Sequence, residues 1–139
     1  MLAINTSCTA KLNTKKELKM KFALLLWALS WKMYQKSKTK ASVREHIGDK
    51  HIVFQLQTQS GWLCRNFTVA NQSITSKWGQ HKAPTINIIF ADAAYGAQVL
   101  TSEAKRLAFM QGVQDKKIVV EGDLSLFMWY VELGSLLNN

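Results

Sequence analysis

The segment "LSLFMWYVELGSLL", from Leu124 to Leu137, carries apolar side chains on almost every side of a predicted helix. At about 100° per residue, Phe127 and Val131 share one side of the helical wheel, while Leu133 and Leu137 share the opposite side. Such a helix is stable in water only when both sides are covered by its own domain, by a second subunit or by a ligand that is not protein. The fold must therefore supply or recruit two covering layers for this helix.

The size and composition of the chain predict one packed domain. It has 139 residues, of which 47% are hydrophobic and one is proline, and domains usually contain about 100 to 200 residues. At this length the chain can bury a core and enclose a small cavity. Residues 1–14 lack helical periodicity and are predicted to form a flexible tail, so the single domain is expected to span residues 15–139.

The hydrophobic period changes along the chain from helical to alternating. Residues 15–36 are predicted to form a basic amphipathic helix, with Leu18, Phe22 and Leu25 on one face and Trp27 and Trp31 on a neighbouring face. The next segment, "QKSKTKASVREHIGDK", is interpreted as the end of the helix and a linker. The stretches "HIVFQLQT", "WLCRNFTVA" and "SITSKWG" then alternate as an antiparallel meander, and "TINIIF" is a fourth strand.

The last third of the chain predicts three helices and a fifth strand. Asp92 is expected to cap a short helix, and a second helix is expected at Glu103–Gln111 with Gly112 as its left-handed terminator. The stretch "KKIVVE" is the fifth strand, and Asp123 caps the final helix. This order predicts an α+β fold in which helices cover one face of a mostly antiparallel five-stranded sheet.

Positive charge is concentrated near the N-terminus. Of the net charge of +9, residues 1–50 contribute +8, through eleven basic and three acidic side chains. Most of the cations are lysines beside a run of Trp, Leu and Phe, a pattern that suits an anionic membrane surface better than sequence-specific nucleic acid. The alternative is that these lysines form a solvated surface that binds no partner. The residues predicted to contact a membrane are Lys19, Lys21, Trp27, Trp31, Lys32 and Lys36.

The sequence gives no sign of a membrane span or of a disulfide framework. The ten uncharged residues that begin at Phe22 are too few for a span of about 20 residues. As a signal peptide the same run lacks an A-x-A site and is followed directly by lysines. Cys8 and Cys64 are far apart and have no ligand-spaced partners, so neither a zinc site nor a disulfide framework is expected. These features favour a reducing, cytoplasmic location with peripheral membrane association.

No catalytic motif is visible in the sequence. The signatures G-x-S-x-G, G-x-x-x-x-G-K-[ST], H-E-x-x-H and G-x-G-x-x-G do not occur. His46, His51 and His81 lie in or beside predicted turns, where exposed structural histidines are common. We therefore expect a protein that is not an enzyme and that has no metal and no cofactor.

The run "AFMQGVQDKKIVVEGDLSLFMWYVELGSLL" resembles the C-terminal signature of the sterol carrier protein 2 (SCP2) family. In that family a helix ending A-F-x-Q-G leads into a strand, a glycine turn and a final apolar helix. The matching positions in this sequence are Ala108, Phe109, Gln111, Gly112, Ile118, Gly122 and Asp123. The strand order before this run also agrees, so the resemblance covers about residues 47–137.

The resemblance implies an SCP2-like fold that encloses an apolar tunnel and binds lipids without covalent chemistry. The implied cargo is a sterol-like, fatty acyl, isoprenoid or phospholipid molecule. Because the family's glutamine lies near its cavity, Gln111 is expected there as a polar residue. The residues predicted to bind lipid are Phe54, Phe90, Leu100, Phe109, Met110, Gln111, Phe127, Met128 and Val131.

The two ends of the chain differ from those of the animal carriers. The sequence finishes "LLNN" without an S-K-L peroxisomal address, and it begins with a tryptophan-rich basic helix. In this it is more similar to stand-alone bacterial members, some of which assist quinone biosynthesis or form dimers. The expected partners are therefore an apolar lipid and an anionic membrane surface. A homodimer or an accessory module with the same fold is the alternative, and nucleic acid is not the expected partner.

Overall fold

The computed structural model describes the backbone of residues 2–137 and the side chains of residues 16–137. These residues form five helices and five strands, in the order α1 (Leu2–Thr39), α2 (Ala41–Ile47), β1 (Ile52–Thr58), β2 (Cys64–Ala70), β3 (Ser73–Trp78), β4 (Ile86–Phe90), α3 (Ala93–Leu100), α4 (Lys105–Gln114), β5 (Ile118–Gly122) and α5 (Leu124–Leu137).

The strands form one sheet in the order β3-β2-β1-β4-β5. β1 and β4 run parallel, whereas the other three neighbouring pairs are antiparallel. The parallel pair arises because the chain crosses from the edge strand β3 to the far side of β1 before it forms β4. The predicted α+β fold with a mostly antiparallel five-stranded sheet is confirmed.

The core lies between one face of this sheet and the helices. Alternation along β1 places Phe54 and Leu56 on that face, where both are fully buried. The ring of Phe54 stacks on Phe67 of β2 at a centroid distance of 4.8 Å, and Phe90 of β4 meets Phe22 of α1 edge to face at 5.6 Å. Each fully buried phenylalanine contributes about 1.5–3 kcal/mol of hydrophobic stabilisation.

Both sides of α5 are covered by the protein's own domain. Toward the sheet, the ring of Tyr130 lies 5.0 Å from that of Phe54. On its other side, Leu133 and Leu137 are 0% and 2% exposed. The Lys40 ammonium also donates a hydrogen bond of 2.7 Å to the Leu136 carbonyl near the end of the helix. Core packing on both sides of α5 therefore explains why apolar side chains occur almost all the way around this helix.

The N-terminal helix is longer than the sequence predicts. The backbone of α1 is helical from Leu2, whereas the predicted helix begins near residue 15, and no glycine or proline precedes Gly48 to stop it. The side chains of the predicted tail, residues 1–14, lie outside the described part of the chain. The predicted linker contains α2, which is separated from α1 by the extended backbone of Lys40 (φ −111°, ψ 117°).

Gly112 has a different role from the predicted one. α4 continues through it to Gln114, and the left-handed residue that follows is Lys116, with φ 61°. An added Cβ at Gly112 would lie 2.5 Å from Ile118 Cδ1 and 2.7 Å from the Tyr95 hydroxyl. This glycine is therefore required for close packing of α4 on its neighbours, and it does not terminate the helix.

The two predicted aspartate caps are present. The Asp92 carboxylate accepts a hydrogen bond of 2.7 Å from the Tyr95 backbone at the start of α3. Asp123 accepts 2.8 Å hydrogen bonds from the Ser125 backbone and hydroxyl at the start of α5. These two bonds lower the pKa of the Asp123 carboxyl. Both aspartates therefore satisfy helix N-termini, as the sequence predicts.

Candidate functional site

An apolar groove with a volume of about 150 Å³ lies where α1 faces α4 and α5. Its walls are mostly aliphatic and aromatic, and they consist of Leu25, Ala28, Leu29, Lys32, Met33, Leu100, Lys105, Phe109, Tyr130, Val131, Gly134 and Leu137. The α1 face that borders it follows the i, i+3, i+4 spacing of a helix. This apolar space is thus a groove between helices, with α1 as one of its walls.

The groove exists because small residues face each other across it. Ala28 lies on α1, and Gly134 lies on α5, where an added Cβ would meet no atom within 4 Å. The floor is closed by Phe109 and Tyr130, whose rings meet edge to face at a centroid distance of 5.6 Å and 86°. These two rings therefore separate the groove from the aromatic side chains of the core.

Two lysines make one part of the groove wall cationic. Lys32 comes from α1 and Lys105 from the start of α4. Burial lowers the pKa of the Lys105 ammonium, and the nearby positive charge of Lys32 lowers it further. The groove therefore combines apolar walls with two ammonium groups that lie close enough to repel each other.

Three residues of the predicted lipid-binding set border the groove, namely Leu100, Phe109 and Val131. The predicted residues Phe54, Phe90 and Phe127 are instead at most 1% exposed in the core and do not line it. These rings pack on their aromatic neighbours, as in the edge-to-face contact of Phe109 and Phe127 at 6.0 Å. Direct lipid contact remains a prediction for every member of the set.

The other three predicted residues lie away from the groove. Gln111 is exposed and does not line this groove, and its amide donates to the Asp115 carboxylate one helical turn later at 3.2 Å. Its place near a lipid cavity stays a prediction. The Gln111 side chain points outward because α4 continues past Gly112 with the same helical phase. Met110 borders a shallow depression on the outside of α4, and Met128 is half-buried on α5.

Sequence reasoning missed most of the groove wall. The α1 residues Leu25, Ala28 and Met33 were not assigned to lipid binding, nor were Lys105 and Gly134. Leucine and alanine side chains near Lys32 are the sequence pattern that marks this wall. The pattern indicates a groove only when α5 is known to lie opposite α1.

A stripe of exposed apolar side chains runs along the outer face of α1. Its members are Met20, Leu24, Trp27, Trp31 and Tyr34, with exposed fractions of 65%, 63%, 54%, 57% and 40%. Successive members are four, three, four and three residues apart, so they share one side of the helix. We call this set the α1 stripe. Contiguous apolar surface of this kind usually marks a contact site.

The predicted membrane residues are distributed around α1. Trp27 and Trp31 belong to the α1 stripe, while Lys21 is exposed beside it and Lys36 is half-buried. Lys32 lines the groove. The ammonium of Lys19 lies 4.6 Å from the ring centroid of Trp62, a cation–π contact with the β1–β2 turn.

The histidines and cysteine of the described region have structural surroundings. His46 and Trp129 stack at 5.1 Å, and each side chain makes a 2.9 Å hydrogen bond with the other's carbonyl, tying α2 to α5. His51 and His81 are exposed, and Cys64 is buried. Across residues 16–137, no three His, Cys, Asp or Glu side chains are grouped to hold a metal ion. None of the helices with described residues has the length and hydropathy to cross a membrane.

The described residues form an α+β domain with a five-stranded sheet and an apolar groove lined by α1, α3, α4 and α5. The UbiJ-SCP2 ubiquinone synthesis protein is similar to it, with a TM-score of 0.58 and 16% identity over 84% of this chain and 94% of that chain. The stereoselective inverting sec-alkylsulfatase Pisa1 from Pseudomonas sp. is also similar, with a TM-score of 0.51 and 10% identity over 65% of this chain.

The similarity to the UbiJ-SCP2 structure shows that the chain has an SCP2-like fold. The fold that the C-terminal run predicts is therefore confirmed. The chain spans 14% of the length of the sulfatase, so the similarity concerns one part of that enzyme. No protein-family model matches the sequence, and no curated protein sequence is significantly similar to it.

Proposed function

We propose that the protein binds and carries apolar lipids, holding part of the lipid in the groove between α1, α4 and α5. The observation that supports this proposal is the groove itself, because its apolar walls come from four helices, α1, α3, α4 and α5, and the small residues Ala28 and Gly134 lie in them. Each methylene buried there contributes about 0.8 kcal/mol. No covalent chemistry is needed for this function.

The groove volume determines how a lipid fits. An apolar cavity of about 150 Å³ is known to accommodate a molecule the size of benzene. In this conformation the groove therefore holds the end of a chain, and a longer ligand requires α1 to move away from α5. Such movement would also shift Phe22, Leu26 and Met33, the α1 side chains that are fully buried in the core.

The two lysines favour a lipid with an acidic head group. A carboxylate or phosphate between Lys32 and Lys105 would relieve the repulsion that lowers the pKa of Lys105. The preferred ligand is therefore an acidic amphiphile, with a fatty acyl or isoprenoid chain in the groove. Because the similar UbiJ-SCP2 structure is described as a ubiquinone synthesis protein, an accessory role in quinone metabolism is a variant of this proposal.

Docking on an anionic membrane is the second part of the proposal. The α1 stripe supplies tryptophan and leucine side chains, and the lysines of the same helix supply positive charge. Tryptophan prefers the level of the head groups at a bilayer surface. The stripe and the groove adjoin at one end, because Met20 and Leu24 of the stripe share a surface depression with Leu25 and Ala28 of the groove. Docking through the stripe would therefore place the lipid site within reach of the bilayer.

A displacement titration with a fluorescent fatty acid tests lipid binding. Gly134→Leu should place a side chain in the groove without a backbone clash, and we expect it to weaken probe binding by about tenfold, which corresponds to about 1.4 kcal/mol of lost contact. The matched control is Leu124→Gln at the exposed start of the same helix. Equal affinity of both folded variants and the parent protein would refute the groove as the lipid site.

Self-association through the α1 stripe is a second candidate function. The spacing of the stripe is that of a coiled-coil seam, whereas both sides of α5, for which a second subunit was one possible cover, are buried in the domain. If the stripe mediates a dimer, sedimentation velocity should show a concentration-dependent shift that Trp27→Ser and Trp31→Ser abolish. If the protein is a monomer at all concentrations, self-association is refuted and the membrane stays the proposed partner of the α1 stripe.

A further inference from the structure

Arg65 is a buried cation whose charge is not neutralised by any described residue. It lies on β2 and is 8% exposed. Its Nε and Nη2 atoms donate hydrogen bonds of 3.1 and 2.8 Å to the Ser76 hydroxyl, and its guanidinium lies 4.4 Å from the ring centroid of Trp78. Nη1 is buried and has no hydrogen-bond partner among the described residues. Burial lowers the pKa of this guanidinium, which shows that its surroundings disfavour the charge.

A pocket of about 250 Å³ opens beside this guanidinium, between α1 and β3. Arg65 and Ser76 form its inner wall, and Trp27, Trp31 and Tyr34 of the α1 stripe form its outer wall. Because the Ser76 oxygen accepts both hydrogen bonds from Arg65, its own proton is available to a further acceptor. The pocket wall therefore combines a hydroxyl donor and the Arg65 side chain with three aromatic rings.

This arrangement is suited to an oxyanion. A buried guanidinium without an anion costs several kcal/mol, and an oxyanion that accepts two parallel N–H bonds offsets that cost best. Phosphate and carboxylate are the groups for which arginine is preferred over lysine. The site is separate from the lipid groove, with which it shares no wall residue.

The position of the pocket on the α1 stripe indicates the source of the oxyanion. Trp27 and Trp31 belong to both the stripe and the pocket wall, so a ligand in the pocket lies at the depth that these rings occupy in a bilayer surface. That depth is the level of the head groups. We propose that the Arg65 pocket binds the phosphate of a membrane phospholipid while the α1 stripe lies in the interface. This inference rests on the docking part of the proposed function.

The test compares two neutral bilayers that differ in phosphate. Vesicles of phosphatidylcholine carry a phosphate, whereas vesicles of digalactosyl diacylglycerol carry none, and neither attracts the lysines by net charge. The wild-type protein should bind the phospholipid vesicles about tenfold more tightly, since a charge-assisted hydrogen bond is lost on the glycolipid. Arg65→Gln should remove this preference, and Lys77→Gln, which removes an exposed cation from β3, should retain it.

A second measurement uses the wild-type protein alone, in case Arg65→Gln does not fold. The nuclear magnetic resonance signal of the Arg65 Nε–H group should shift on addition of phosphatidylcholine vesicles and remain unchanged with the glycolipid vesicles. A titration with inorganic phosphate tests whether the pocket binds a free anion instead of a lipid phosphate. A shift with inorganic phosphate and none with vesicles would overturn the assignment to a lipid, and no shift with either would overturn the site.

Failure of the pocket can be distinguished from failure of docking. Binding to anionic vesicles without any preference between the two neutral vesicles would refute the pocket while docking stands. Absence of binding to all three kinds of vesicle would refute docking, and the phospholipid assignment with it.

Discussion

At the scale of single residues, two helix glycines differ in what surrounds them. Gly112 is packed against Ile118 and Tyr95, whereas Gly134 borders the open groove. Gly112→Ala should destabilise the protein by about 1–3 kcal/mol, because the new methyl group overpacks a closed site. Gly134→Ala is the control and should stabilise it by about 0.5–1 kcal/mol through reduced backbone entropy. Urea unfolding measures both changes, and equal effects would contradict the packing role of Gly112.

Cys64 gives a second residue-scale prediction. Burial raises the pKa of its thiol to about 11, from an ordinary value of 9.0. Since the folded state favours the neutral thiol, this contribution to stability is complete below pH 9 and is lost as the pH rises toward 11. Alkylation requires the thiolate. In a Cys8→Ser variant, the alkylation rate of native protein should therefore rise with a midpoint near pH 11.

The same measurement in urea provides the control for Cys64. The unfolded thiol should be alkylated with a midpoint near pH 9. A midpoint near pH 9 in the native protein as well would show that the thiol is accessible to solvent in the folded state.

At the scale of helices and strands, local signals were sufficient for most of the fold. The alternation that defines β1 and the aspartate that caps α3 are local properties, and both were predicted. The role of Gly112 could not be predicted, because a terminating glycine and a close-packed glycine look alike until Ile118 is placed against it.

The candidate site was harder to predict than the fold. The side chains that line a lipid site and those that fill a core are both apolar and buried. The sequence therefore does not distinguish Phe54, which lies in the core, from Val131, which lines the groove. The separation depends on which helices lie opposite each other. The wall that α1 provides became visible only in three dimensions, because Ala28 and Gly134 are more than a hundred residues apart.

At the scale of the whole molecule, charge and apolar exposure coincide on one helix. Residues 1–50 carry +8 of the net charge of +9, and the α1 stripe lies within them. Since a polybasic segment and an interfacial aromatic face reinforce each other at an anionic bilayer, the proposed docking predicts a single orientation of the molecule on the membrane.

The final prediction tests whether membrane binding depends on the position of the lysines on α1 or only on the net charge of the protein. Replacing Lys19, Lys21, Lys32 and Lys36 together by Gln should weaken binding to vesicles of phosphatidylcholine and phosphatidylglycerol by more than tenfold, since each lysine near such a surface contributes about 1 kcal/mol. The matched control replaces Lys77, Lys82, Lys116 and Lys117, which are exposed away from α1. Co-sedimentation measures both, with folding checked by thermal unfolding. Because the two variants have the same net charge, equal loss in both would show that overall charge drives the attraction, and the oriented docking of α1 would be wrong.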